Sequence, residues 1–205
     1  MNIQTIIFDL GGVVIDLDFK KTPEAFSQLT DWSFDDIYQL YFKPGLLHEY
    51  ETGLISDQEF RCGINDLFGT TLTDNQIDKA WCAMLGSIPR ARLDFMQELR
   101  KKYQVLVLSN TNAIHVTAFN QTIKAVTGED SLESFADKVY FSHELNMRKP
   151  DLEIYEEILK QSNLIAEECL FLDDTLPNLE TAAKVGIQTM HITHPDQIFN
   201  LTAHV

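Results

Sequence analysis

The side chains best suited to catalysis or ligand binding follow four apolar segments of the chain. Each lies at or after the end of its segment. In chain order they are Asp9, then Ser109 with Asn110, then Lys149 within "RKPD", and finally the adjacent pair Asp173 and Asp174. Any one of these groups alone is more typical of a turn or a helix cap. Their recurrence in order after successive apolar segments instead favours a common site.

These residue types suit phosphoryl chemistry. Three carboxylates crowded into a crevice would repel one another, and a hard cation such as Mg²⁺, which prefers carboxylates, water and phosphate oxygens, relieves that repulsion. Lys149 adds a compact positive charge, and Ser109 and Asn110 offer donors to phosphoryl oxygens. The flexible pair Gly11 and Gly12 lets the backbone approach a ligand closely. The set therefore predicts an anion clamp, a metal ion and a carboxylate nucleophile.

The elements that must position these groups are predicted to be strands of a parallel sheet. Nearly continuous apolar runs, typical of strands buried on both faces, occupy residues 3–8, 105–109, 138–142, 169–174 and 187–192. Helical periodicity separates several of them, at residues 91–103, 153–161 and 175–185. This alternation predicts an α/β domain, whose ligands bind beyond the carboxyl ends of the strands.

A long helical stretch interrupts the alternation after the first strand. Helical patterns occur at residues 23–29, 34–42, 58–68 and 74–85, with no good strand between them. Ser56, three residues before Glu59, resembles a capping box. We expect the stretch to form a cap over the site. The predicted division is an α/β core of residues 1–18 and 88–205 with a helical cap of residues 19–87.

The composition of the chain limits the classes of binding partner and the cellular compartment that we expect. The 205-residue chain has a formal net charge of −15, which makes nucleic acid and anionic membranes poor partners. We expect no membrane span, because no apolar run is long enough, and no signal peptide pattern is evident. The three cysteines are widely spaced without a CxxC pair, which favours reduced thiols in a cytoplasmic protein over disulfides or a zinc site.

The motifs resemble those of a known enzyme family. They are "FDLGGVV" at 8–14, "LSNTN" at 108–112, "RKPDLEIY" at 148–155 and "FLDDTLPNLETAAKVGI" at 171–187. In order and spacing they resemble the haloacid dehalogenase (HAD) superfamily of hydrolases with a small α-helical (C1) cap, which implies a Rossmann-like core. The likeness is greatest to bacterial enzymes related to α-D-glucose-1-phosphate phosphatase, with "ETGLISDQEF" in the cap. The phosphatase domain of soluble epoxide hydrolase is similar more distantly.

The resemblance implies a Mg²⁺-dependent phosphatase acting on a small phosphorylated metabolite, most simply a sugar phosphate. Asp9 would attack phosphorus, form an aspartyl-phosphate and contribute one oxygen to the metal. The backbone carbonyl of Gly11 and the carboxylate of Asp174 would be further metal ligands, with Asp173 acting directly or through water.

The resemblance also assigns supporting roles. Ser109 and Asn110 would hold the phosphoryl oxygens, together with the backbone at Gly11 and Gly12. Lys149 would neutralise charge on Asp9 and on the transferring group. The remaining residue is Asn178, which would orient water molecules on the metal.

Gly11 departs from the family pattern, which usually has Asp there as a general acid and base. Such a proton-transfer group is typically worth about 10²–10⁴-fold in rate. Three consequences stay open: a leaving group that needs little protonation, an acid supplied by a cap residue, or a turnover slow enough that the protein is a binding module. The candidate donors are His48, Glu49, Glu51 and His143, whereas Asp16 and Asp18 are more typical of turn or helix-entry residues.

Two other functions remain as alternatives. A metal-independent 2-haloacid dehalogenase would use the same nucleophilic aspartate, but it would have little reason to gather three carboxylates. A weakly catalytic or non-catalytic metabolite-binding protein would account for Gly11. The sequence selects neither the phosphorylated substrate nor the oligomeric state.

Overall fold

Five parallel strands form the centre of the computed structural model, which describes residues 3–43 and 45–203. The strands are β1 (Thr5–Phe8), β2 (Gln104–Ser109), β3 (Lys138–Phe141), β4 (Cys169–Asp173) and β5 (Gln188–His191). Their order across the sheet is β3-β2-β1-β4-β5. The predicted α/β class and all five predicted strands are confirmed, with bounds that differ by at most two residues.

The register of the sheet brings the strand ends together. Phe8, the last residue of the central strand β1, is paired with Val107 of β2 and with Leu172 of β4. The residues that follow each strand therefore meet at one edge of the sheet, as the pattern of polar residues predicts. Every residue of β1 and β4 is buried, which explains why these segments are nearly continuously apolar.

Helices cover both faces of the sheet, because alternate strand residues point to opposite sides. One face packs on α6 (Arg90–Leu99) and α7 (Ala113–Thr127), in a core that includes Phe8 and Phe119. The other face packs on α9 (Leu152–Ser162) and α10 (Leu176–Lys184), in a core that includes Tyr155. A short helix, α8 (Ser142–Leu145), follows β3 directly.

The inserted stretch is helical, as predicted. It contains α1 (Lys21–Ser27), α2 (Phe34–Tyr38), α3 (Leu46–Glu51), α4 (Asp57–Phe68) and α5 (Asp74–Trp81). Short 3₁₀ turns extend α2 and α5, at Gln39–Phe42 and Cys82–Met84. The capping box of Ser56 and Glu59 is present at the start of α4.

A narrow ribbon joins this stretch to the sheet. Leu17 and Leu85 form an antiparallel bridge. The amide of Asp16 donates to the carbonyl of Ser87 at 2.9 Å, and the amide of Gly86 donates to the carbonyl of Asp16 at 2.8 Å. The helices beyond the ribbon have their own hydrophobic cluster around Phe60. These features support the proposed division at 18/19 and 87/88; residues 1, 2, 44, 204 and 205 of the proposed units lie outside the described residues.

Three helices are not predicted by the sequence patterns: the four-residue α8, α3 and α7. Helix α3 has six residues and begins after Gly45, with no side-chain cap to mark its start. Helix α7 has fifteen residues, but many are β-branched, which weakens its helical signature. Its start is stabilised by Asn112, whose side chain accepts from the amide of His115 at 3.0 Å. Of the helices that the structure describes, none combines the length and apolar character needed to cross a membrane.

Candidate active site

Asp9 lies immediately after β1, at the edge where the strand ends meet. Its amide continues the sheet by donating to the carbonyl of Leu172 at 2.8 Å. Its carboxylate oxygen Oδ1 accepts from the amide of Leu10 at 2.6 Å. Only 8% of Asp9 is exposed, and the residue lines a cavity. The strand thus fixes the carboxylate at the base of an open site.

Lys149 is the cation that faces this carboxylate. Its Nζ lies 2.7 Å from Asp9 Oδ1 and 2.7 Å from Asp173 Oδ2, and 2% of the residue is exposed. The ammonium group also lies 5.2 Å from the ring centroid of Phe171. Burial lowers the pKa of Lys149, but Asp9 and Asp173 outweigh this effect and raise it. Lys149 is therefore held as a charged group between two acids.

Asp9, Asp173 and Asp174 form the predicted carboxylate cluster. Each offers one oxygen, and the three oxygens lie within 4.8 Å of one another. Burial raises the pKa of Asp9 to about 7, with Asp173 and Asp174 adding to the rise and Lys149 opposing it. The negative charge at this point exceeds what Lys149 alone can balance.

Asp173 and Asp174 differ in their surroundings. Asp173 is fully buried, and its oxygens accept from the Thr175 amide at 2.8 Å, from Asn178 Nδ2 at 3.0 Å and from Lys149 at 2.7 Å. Asp174 is exposed, and its Oδ1 accepts from the hydroxyl of Thr175 at 3.2 Å. Asp174 consequently has more freedom to bind a ligand directly than Asp173 has.

Asn178 lies behind Asp173 and binds its carboxylate. It lies in α10, is 7% exposed, and directs Nδ2 at both oxygens of Asp173. Its own carbonyl accepts from the hydroxyl of Tyr155 at 2.9 Å. The position of Asn178 therefore fixes Asp173, which in turn holds Lys149.

Ser109 and Asn110 reach the site from the end of β2, as predicted. The side-chain amide of Asn110 donates to the carbonyl of Lys149 at 2.8 Å, and the amide of Lys149 donates back to Asn110 Oδ1 at 2.9 Å. This reciprocal pair fixes the backbone that carries Lys149. Ser109 is 3% exposed, and its hydroxyl has a marginal contact with the carbonyl of Asn110 at 3.5 Å. The two residues thus differ: Ser109 offers its hydroxyl, whereas the side chain of Asn110 is already engaged.

The glycine pair is shaped by its neighbours. Gly12 has a φ of +70°, and a Cβ added there would lie 2.5 Å from Asp174 Oδ2. A side chain at this position would therefore displace the acid. A Cβ added at Gly11 would overlap Cδ1 of Leu17. The end of the apolar Leu17 side chain therefore borders position 11 and would have to shift to admit a side chain there.

The cavity above Asp9 has a volume of about 510 Å³ and lies between the sheet edge and the inserted helices. Part of its wall is apolar, formed by Leu10, Ile15, Leu17, Phe19, Met84 and Leu85. Polar residues that line the cavity include Glu51, Thr111 and Arg148. Of the four candidate proton donors named from the sequence, Glu51 lines this cavity, whereas His48, Glu49 and His143 do not.

His115 also lines the cavity and is not predicted by the sequence patterns, because it lies inside the unpredicted helix α7. Its Nε2 lies 3.1 Å from the carbonyl of Trp81, and its Nδ1 lies 3.2 Å from Asn112 Nδ2. Burial lowers the pKa of His115 to about 4. His115 is thus a neutral imidazole whose two nitrogens contact Trp81 of the cap and Asn112 of the core.

Comparison with known proteins gives consistent relatives. A family model described as haloacid dehalogenase-like hydrolase matches residues 3–186. A D-ribitol-5-phosphate phosphatase of Bacteroides thetaiotaomicron is 34% identical over 187 residues, which cover 91% of this chain and 90% of that protein.

Solved structures agree in fold and in sequence. A HAD family enzyme of Bacteroides thetaiotaomicron, in complex with magnesium and inorganic phosphate, is 35% identical with a TM-score of 0.83 over 93% of this chain and 94% of that chain. A HAD-like family hydrolase from Porphyromonas gingivalis is 31% identical with a TM-score of 0.91 over 100% and 98%. Because the family model spans most of the chain and these relatives align along nearly their full length, the protein belongs to the haloacid dehalogenase-like hydrolase family.

Proposed function

We propose that the protein is a Mg²⁺-dependent phosphatase that hydrolyses a small phosphorylated metabolite, a sugar or sugar-alcohol phosphate, through an aspartyl-phosphate on Asp9. The observation that carries this proposal is the placement of Asp9 at the base of the cavity. There it lies 2.7 Å from Lys149 and within 4.8 Å of carboxylate oxygens from Asp173 and Asp174.

The donor set fits a magnesium ion. Three carboxylates gathered around one ammonium group are the hard oxygen ligands that this ion prefers. The residues that would hold it are Asp9, Asp174 and the backbone carbonyl of Gly11. Asp173 is already surrounded by donors, which favours an indirect part for it, through water. Bound there, magnesium would neutralise carboxylate charge and polarise the phosphoryl oxygens.

The chain's own residues supply the rest of the chemistry. A carboxylate oxygen of Asp9 attacks phosphorus, a new P–O bond forms, and the bond to the leaving alcohol breaks. Lys149 restrains Asp9 by its contact with Oδ1 and balances charge on the transferring group. The Ser109 hydroxyl and the backbone after Asp9 bind the phosphoryl oxygens, while Asn110 acts by holding the backbone of Lys149.

The substrate class follows from the cavity and from the relatives. A volume of about 510 Å³ accommodates a small metabolite, and Glu51 and Arg148 add polar groups to the lining of the cavity. The curated relative from Bacteroides thetaiotaomicron is a D-ribitol-5-phosphate phosphatase. A pentitol or pentose phosphate is therefore the first substrate to test.

The dehalogenase alternative is less consistent with this site. Attack on a carbon-bound halide needs no metal, so Asp174 would add repulsion without a function. Chloride release from 2-chloropropionate in the presence of a chelator would support that alternative, whereas Mg²⁺-dependent phosphate release supports the phosphatase.

A single substitution tests the proposal. Asp9→Asn removes the nucleophile while keeping the shape of the side chain, and we expect it to abolish phosphate release from a panel of sugar phosphates with Mg²⁺. Asp31→Asn is the matched control, because Asp31 is exposed and lies away from the cavity. Unchanged turnover in Asp9→Asn would contradict the assigned nucleophile. Absence of turnover in the unmodified protein across the panel would instead favour the binding-protein alternative.

A further inference from the structure

The position that usually carries the proton donor of the family cannot supply one in this protein. Gly11 has no side chain, and Leu17 occupies the space beside it. An alkoxide leaves poorly without a proton, so hydrolysis of a sugar phosphate requires a donor from another wall of the cavity.

Glu51 is the acid that the cap presents to this cavity. The other candidates are directed elsewhere: Glu49 is exposed, His48 Nδ1 lies 2.8 Å from Arg148 Nη1, and His143 Nδ1 lies 3.1 Å from the carbonyl of Thr111. None of these three side chains lines the cavity, whereas Glu51 does. Asp16 is bound by Arg92 and Ser87 at the ribbon, so its carboxylate is engaged in a structural contact.

Residues of the α/β core contact the backbone of Glu51 and of the two residues after it. The Ser142 hydroxyl donates to the carbonyl of Glu51 at 2.6 Å, and Asn146 Nδ2 donates to the carbonyl of Thr52 at 2.9 Å. Gly53 follows with a φ of +68°, and a Cβ added there would overlap the carbonyl of His143. These contacts clamp residues 51–53 against the loop that continues to Lys149. The backbone that carries Glu51 is thereby fixed against the core.

The carboxyl group of Glu51 is suited to hold a proton. Its side chain is 24% exposed, and Arg148 Nη2 lies 3.4 Å from its Oε2. No described residue donates a hydrogen bond to this carboxylate, and Arg148 is the one cation that the described residues place near it. Burial raises the pKa of Glu51, and Arg148 opposes the rise without cancelling it.

We propose that Glu51 is the general acid and base of the reaction, acting from the cap in place of the side chain that position 11 lacks. This inference rests on the proposed phosphatase function. In the first step the Glu51 carboxyl proton passes to the leaving oxygen as the P–O bond breaks and Asp9 is phosphorylated. In the second step the Glu51 carboxylate takes a proton from the water that attacks phosphorus. Phosphate leaves, Asp9 is freed and Glu51 is protonated again, so no other reactant is needed.

The test compares Glu51→Gln with Glu49→Gln, an exposed neighbour on the same helix, using two substrates. D-ribitol 5-phosphate has an alkoxide leaving group, which needs a proton, whereas 4-nitrophenyl phosphate has one that leaves without protonation. We expect Glu51→Gln to lower kcat on D-ribitol 5-phosphate by about 10²–10⁴-fold. On 4-nitrophenyl phosphate we expect a burst of one equivalent of nitrophenol followed by slow turnover, because only the second step still lacks its base. Glu49→Gln should behave as the unmodified protein does.

Two outcomes would overturn the inference: equal rates for both variants, or an equal loss on both substrates without a burst. Glu51→Asp, which keeps an ionisable carboxyl, should retain more activity than Glu51→Gln, and the reverse order would also contradict it. Thermal melting of each variant shows that the folds are comparable. If the unmodified protein hydrolyses neither substrate, the proposed function fails rather than the role of Glu51.

Discussion

Lys149 determines the electrostatic balance of the site. It lies between Asp9 and Asp173, and its backbone is fixed by Asn110. The order of these contacts explains why so many polar groups tolerate burial here: each acid has a donor, and each donor is positioned by another residue. The arrangement also means that a change at Lys149 exposes the repulsion between the acids.

Replacement of Lys149 by Met should destabilise the fold as well as abolish activity. Removing one partner of a buried pair leaves an uncompensated charge, which typically costs about 3–5 kcal/mol. We expect the free energy of unfolding in urea to fall by that amount. Lys101→Met is the control, because Lys101 and Glu98 form an exposed pair, with 71% and 65% of the side chains accessible. Such pairs contribute about 0–1 kcal/mol, and similar losses for both variants would contradict the account.

Restoring an acid at position 11 tests how Leu17 fills the site. Gly11→Asp should lower the free energy of unfolding by about 1 kcal/mol, because the new Cβ overlaps Leu17 Cδ1 and the end of that flexible side chain must shift. Gly11→Asp combined with Leu17→Ala should recover part of this loss, since the overlap is removed. Thermal or urea unfolding of both single variants and of the double variant measures the coupling. Strictly additive effects would show that the two positions do not share space.

The helices and strands differ in how well the sequence predicts them. The strands are predictable because apolar residues dominate most of them, and a polar group ends or follows β1, β2 and β4. Helix α4 is predictable because Ser56 and Glu59 form a capping box. Helix α3 is not, since six residues after Gly45 carry no capping signal. The role of α3 is therefore visible only in three dimensions, where it carries Glu51 to the cavity.

Gly53 lies just after α3, at the point where the chain that carries Glu51 packs against the core. Gly53→Ala should reduce stability and lower kcat on D-ribitol 5-phosphate, because a Cβ there collides with the carbonyl of His143 and displaces Glu51. Gly69→Ala is a matched control: Gly69 has a φ of +66°, close to the +68° of Gly53, but a Cβ there meets nothing within 4 Å. We expect Gly69→Ala to cost about 1–2 kcal/mol in unfolding free energy from backbone strain alone and to keep full activity. Loss of activity in both variants would contradict the attachment.

At the scale of the whole molecule, the sequence predicts the site better than the cavity above it. Asp9, Lys149 and the pair Asp173 and Asp174 meet because parallel strands bring their carboxyl ends to one edge, a rule that holds for open parallel sheets in general. The contact between Gly11 and Leu17 depends on how the ribbon folds back, which no local pattern encodes. The wall contributed by the cap likewise results from packing between distant segments.

The contact of His115 between cap and core makes the stability of the protein depend on pH. Its pKa is lowered by burial from 6.5 to about 4, so between these values the unfolded chain binds a proton that the folded protein excludes. Stability from this group is therefore complete above about pH 6.5 and is lost as the pH falls towards 4, in total about 3 kcal/mol.

Urea unfolding between pH 7 and pH 5 measures this dependence. We expect His115→Gln to be less stable than the unmodified protein at pH 7 and to lose less further stability on acidification. The difference between the two proteins separates His115 from the carboxyl groups that titrate in the same range. Parallel pH profiles for both proteins would contradict the assignment.

The central claim is that Asp9 is phosphorylated during turnover. Its most direct test is acid quenching of the protein during hydrolysis of D-ribitol 5-phosphate with Mg²⁺, followed by mass spectrometry of the peptide that contains Asp9. The account predicts a mass gain of one phosphoryl group on that residue, absent from Asp9→Asn. Continued turnover with a phosphoryl group on another residue, or on none, would contradict it.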